Sequence, residues 1–109
     1  MKEISNFYPI RACEFEERDG QVTVLFKKEK PSFIEKIFFK KAVDKPYKID
    51  LDEIGTFVWH LCSGENNVDE IAKKTEDHFG DKVEPAKTRV EMFVHEMNKN
   101  RLIKLYQKK

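Results

Sequence analysis

Between Tyr47 and Cys62 the apolar positions change period, and the change marks the join between two elements. Tyr47, Ile49 and Leu51 alternate with Lys48 and Asp50, the period-two pattern of a half-buried strand. From Leu51 onward Ile54, Phe57, Val58, Leu61 and Cys62 recur at helical spacing. Asp52, or Asp50, is placed to cap this helix by accepting free backbone N–H groups, and Asp52 and Glu53 suit the positive end of its dipole. Ser63-Gly64 ends it, because Gly64 can take the left-handed conformation that closes a helix.

Upstream, Cys13, Phe15 and Glu17 alternate along one segment and Val22, Val24 and Phe26 along the next. Asp19-Gly20 between them is a tight-turn signal, since the turn needs positive φ, so a β-hairpin is expected. Residues 1–11 read as a loose lead-in whose Phe7, Tyr8 and Ile10 lean on the core. Residues 31–41 read as an insert: Ser32 and Glu35 form a capping box, and Phe33, Ile34, Ile37 and Phe38 make a helical stripe. Phe33, Ile37 and Phe39 also fit a strand, but a short amphipathic helix packed on its own domain is the expectation. Downstream, Asn67 and Glu70 form a second box ahead of Val68, Ile71, Ala72, Thr75 and Phe79, and Gly80 stops that helix. A third helix starts near Pro85 and buries Ala86, Val90, Phe93, Val94 and Met97. Leu102, Ile103, Leu105 and Tyr106 return to the core, and residues 107–109 are a solvated tail.

Composition narrows the function classes. The chain has 109 residues, enough for one domain with a modest core, and its nine Phe separate its 38% charge from that of a disordered segment. A net charge of +1 gives no electrostatic reason to expect a polyanion. No apolar run approaches the ~20 residues of a membrane span and no signal-peptide core is evident, so a cytoplasmic location is expected. Cys13 and Cys62 then read as reduced, buried thiols. His60 and Cys62 point about 160° apart on one helix, so they do not share a metal, and neither His78 nor His95 completes a site. No phosphate loop and no nucleophile–base motif is present, so neither catalytic residues, a metal nor a cofactor is expected. Trp59 reads as a partly buried packing residue rather than a stacking platform.

Three strands beside three helices predict an α+β domain that resembles a winged helix-turn-helix layout: a three-stranded antiparallel sheet, an insert helix between its second and third strands, then three helices. From Ile49 to Ile103 the pattern resembles the PqqD family. The residues that carry the likeness are Asp50-Leu51-x-x-x-Gly55, Val58-Trp59-x-Leu61-Cys62-x-Gly64, Val68-x-x-Ile71-Ala72, Phe79-Gly80, and Phe93-Val94-x-x-Met97-x-x-x-Arg101-Leu102-Ile103. Arg101 stands where the family usually has Gly, and Asn100 is expected to supply the turn instead.

The resemblance implies a non-catalytic peptide-recognition domain. Such a domain binds the leader of a ribosomally made precursor as an extra strand on the third strand of its sheet, against the third helix. It then presents the leader to a modifying enzyme, often a radical S-adenosylmethionine enzyme. Carried onto this chain, the expected peptide site runs along Tyr47, Lys48, Ile49, Asp50 and Leu51. On the third helix, Arg89, Met92 and Glu96 lie together just beyond the Phe93 side of the buried stripe, although the helical wheel leaves open which flank faces the strand. The alternative is a winged-helix DNA-binding or other interaction module. Glu91 and Glu96 on the third helix argue against a phosphate-facing role.

Overall fold

The computed structural model describes residues 4–26 and 47–107. In chain order the elements are β1 (Tyr8–Arg11), β2 (Glu14–Arg18), β3 (Gln21–Phe26), β4 (Tyr47–Asp50), α1 (Glu53–Leu61), α2 (Val68–Phe79), a 3-10 turn (Gly80–Val83), α3 (Ala86–Lys99) and β5 (Ile103–Tyr106). Among the described residues the result is an α+β fold with two small antiparallel sheets, ordered β2-β3-β4 and β1-β5, beside three helices.

The β2–β3 hairpin turns on Asp19 and Gly20 at φ 51° and 79°, with Arg18 opposite Gln21. Two successive positive φ values give the tight turn whose twist matches the strands. β4 joins the far side of β3, pairing Val24 with Ile49 and Leu25 with Lys48. Val22 and Val24 are fully buried beneath the helices.

The helices α1 and α2 use the start signals next to them. Asp52 caps α1 by accepting the Gly55 N–H at 2.7 Å. Asp50, the other candidate cap, instead accepts the Thr23 hydroxyl at 2.7 Å on the strand ladder. At α2 both halves of the box form: Asn67 accepts the Glu70 N–H at 2.7 Å, and Glu70 accepts the Asn67 N–H at 2.8 Å. The buried faces converge on Trp59, Val58, Ile71, Val90, Val94, Leu102 and Ile103. Trp59 is 0% exposed, so it is a core residue outright, with Phe15 edge-on at 5.7 Å.

Two expectations are corrected. The segment read as a loose lead-in contains β1, which pairs Tyr8 with Tyr106 and Arg11 with Ile103. Its opposite side is held by the α1–α2 loop: Arg11 N–H donates to Cys62 O, and Gly64 N–H donates to Pro9 O, both at 3.0 Å. The Arg11 guanidinium also donates to the terminal carbonyls of α1, at Trp59 (2.9 Å) and His60 (3.0 Å). Ile4, further upstream, is buried at 2% exposure. The pattern hid this because Pro9 interrupts a short run and its partner lies at the other end of the chain. The second correction is at the end of α3. Asn100 keeps φ −90°, and Arg101 takes the left-handed conformation at φ 64°. Leu102 N–H donates to Met97 O (2.8 Å) and Arg101 N–H to Asn98 O (3.0 Å), the paired bonds of a Schellman closure with Arg101 at its left-handed position. Burial of both Leu102 and Met97 fixes that register. The insert expected at 31–41 lies outside the described residues.

Candidate functional site

The site is set by the junction of β4 with α1 and by the face of α3 that lies across from it. Leu51 N–H donates to Val22 O at 2.9 Å, and Leu51 O accepts the Gln21 side-chain amide at 2.9 Å. Bonding alternates along an antiparallel ladder, so Ile49, two residues earlier, also turns its N–H and C=O toward β3. The backbone groups of Lys48 and Asp50 therefore point to the opposite edge. Among the described residues no strand pairs with that edge. Ile49 is half-buried against the core, and Lys48 is exposed.

Past this edge opens a cavity of about 460 Å³. Asp50, Leu51 and Asp52 line it from the strand end, Ile54, Gly55 and Val58 from α1, and Arg89, Val90, Met92 and Phe93 from α3. That volume falls in the ordinary range for ligand pockets. The walls are mostly apolar, and Met92 is 58% exposed at the opening. Gly55 brings the walls together: a Cβ there would stand 3.2 Å from Asp52 Oδ1, 3.3 Å from Leu51 Cβ and 3.5 Å from Phe93 Cε2.

Five of the residues expected from the sequence meet in this cavity: Asp50, Leu51, Arg89, Met92 and Phe93. The flank of α3 that the helical wheel left open is thereby the Arg89–Met92–Phe93 flank. Tyr47, Lys48 and Ile49 lie along the strand that leads to it, and among the described side chains those of Lys48 and Ile49 do not line it. Glu96 lies one turn beyond Met92 and is exposed; its carbonyl accepts the Asn100 amide at 2.9 Å. Asp52, Ile54, Gly55, Val58 and Val90 also line the cavity and were not singled out. The signal was present, since Gly55 closes the Asp50-Leu51-x-x-x-Gly55 motif and Ile54 and Val58 stand i,i+4 on α1.

The remaining reactive side chains have structural surroundings. Cys62 is fully buried, its thiol donates to Val58 O at 3.2 Å, and burial pushes that thiol up to about 12 against a weak opposing pull from Arg11. Cys13 is half-buried near Leu102 O, and burial raises its thiol as well. His60 lies 3.2 Å from Glu17 of β2, and His78 stacks on Phe57 at 4.5 Å. Among the described residues no group of three or more His, Cys, Asp or Glu side chains is arranged to hold a metal. Among them, too, no helix is long and apolar enough to cross a membrane.

Comparison with protein families gives a match over residues 43–103 to the family described as Coenzyme PQQ synthesis protein D (PqqD), more than half of the chain. The chain belongs to the PqqD family. The matched span runs through β4, α1, α2 and α3 into β5, so every residue lining the cavity falls inside it. No curated protein and no solved structure matches the chain.

Proposed function

We propose that this PqqD-family protein is a non-catalytic adaptor that captures the leader of a ribosomally made precursor peptide by strand addition to β4. It presents the bound leader, in the cytoplasm, to a modifying enzyme of the radical S-adenosylmethionine type. On this reading the β2–β3 hairpin is the wing of a winged helix-turn-helix layout, and Tyr47–Leu51 with the Arg89–Met92–Phe93–Glu96 flank of α3 form the peptide groove. The observation that carries the proposal is the placement of an apolar cavity at the end of a strand edge. Main-chain bonds along the outward groups of Lys48 and Asp50 supply affinity, and the cavity receives alternate side chains of the added strand. A nucleic-acid role has less support, because Glu91 and Glu96 share α3 with its cations, and Lys87 faces Asp69 at 4.0 Å.

A short precursor reading frame is expected beside the gene, and its leader, made synthetically, is the test ligand. Saturating isotope-labelled protein with that leader should slow amide exchange at Lys48 and Asp50 and leave Ile49 and Leu51, already in the ladder, unchanged. Met92→Asp should abolish the effect. Protection confined to other elements, or binding indifferent to Met92→Asp, would refute the groove.

A further inference from the structure

We propose that Arg89 reads a carboxylate on the bound peptide and so fixes the peptide's register in the groove. This inference rests on the peptide-binding reading given above and adds the chemical class of the occupant: a bulky apolar side chain with an Asp or Glu on the same face of the strand.

The charges around the cavity are not equivalent. Asp52 Oδ1 is engaged in capping α1, at 2.7 Å from Gly55 N. Asp50 Oδ1 accepts the Thr23 hydroxyl at 2.7 Å. Lys87, one turn from the opening, faces Asp69. Among the described residues the guanidinium of Arg89 has no hydrogen bond or ion pair, yet Arg89 lines a cavity whose apolar walls are Leu51, Ile54, Val58, Val90, Met92 and Phe93.

Empty, the groove leaves that guanidinium its water. A peptide strand laid across the opening displaces part of the water, and a cation without a partner is then penalised. An apolar occupant alone leaves this penalty in place. A carboxylate removes it, and the planar fork of Arg binds one by donating two parallel N–H···O bonds whose geometry tolerates little sliding. Side chains of an added strand enter the groove at every second residue. The carboxylate must therefore stand at an even offset from the apolar anchor, and the pair together defines one register where an apolar anchor alone permits several.

The full chain is used to select binders from a random peptide library displayed on messenger RNA, in parallel with Arg89→Glu, Arg89→Gln and Met92→Asp, each checked for folding by circular dichroism. Peptides selected on the wild type should carry an acidic residue at one fixed, even offset from a bulky apolar residue. Arg89→Glu should bind those peptides about tenfold or more weakly and select Lys or Arg at the same offset, and Arg89→Gln should select neither charge. If the apolar anchor is selected and lost with Met92→Asp while no acidic preference appears, the carboxylate reading is overturned and the groove stands. If the same acidic preference persists in Arg89→Glu, another group reads it and the assignment to Arg89 is wrong. If selected peptides are indifferent to both Met92→Asp and Arg89→Glu, both readings fall together.

Discussion

Proline scanning of β4 separates the fold from the function because successive residues serve different edges. Ile49 N–H lies on the β3 side of the ladder, opposite Val24, which is fully buried. Ile49→Pro removes that bond, at about 1 kcal/mol net, and leaves a buried carbonyl without its donor, at about 1–3 kcal/mol. Loss of a half-buried side chain adds to this, so a destabilisation of about 3 kcal/mol is expected. Lys48 N–H points the other way and its side chain is exposed. Lys48→Pro removes no ladder bond, and proline is tolerated on an edge strand, so stability should change by less than about 1 kcal/mol. For an added peptide strand the order reverses: Lys48→Pro deletes a donor and puts the ring where the peptide must lie, weakening binding about tenfold or more. Urea denaturation gives the first quantity and fluorescence anisotropy with the labelled leader gives the second. A folded Lys48→Pro variant that binds as tightly as wild type would refute strand addition at this edge. Equal stability of the Ile49→Pro variant and wild type would refute the parity itself.

Gly64→Ala should destabilise the fold by about 1–2 kcal/mol, because Gly64 sits at φ 86° and a Cβ there would lie 3.0 Å from Ile10 Cδ1 and Cγ1. Repeating the substitution in an Ile10→Ala background should recover the steric part in urea denaturation; an identical cost in both backgrounds would show that the close approach contributes nothing. For Cys62, burial raises the folded thiol from an ordinary 9.0 to about 12, so its neutral form favours folding fully below pH 9. That contribution should be lost as pH climbs from 9 toward 12, and below that range iodoacetamide should label Cys62 only at the rate of unfolding and Cys13 sooner, as peptide mass mapping would show.

What could be seen in the sequence was what local chemistry decides. The Asp19-Gly20 turn, the Asp52 cap and the Asn67–Glu70 box each depend on a few adjacent residues, and each forms as its spacing implies. The β1–β5 sheet was hidden because it has no local signature: Pro9 and Leu105 meet only after everything between them has folded. Arg101 shows the same limit in one residue. Intrinsic preference favours Asn over Arg for left-handed backbone, yet the burial of Leu102 and Met97 sets the register and forces position 101 into it.

The groove was half visible for a related reason. A helical wheel groups Arg89, Met92 and Phe93, but which flank meets the strand is set by tertiary packing that the wheel does not carry, and Gly55 of α1 stands where that flank comes near. In isolation a glycine inside α1 costs about 1 kcal/mol relative to alanine. Here a Cβ would press on the capping oxygen of Asp52 and on Leu51 and would fill the space up to contact with the ring of Phe93, three components of the cavity's wall. The residue that weakens the helix locally is therefore the one that lets the cap, the end of β4 and the aromatic wall of α3 share one space.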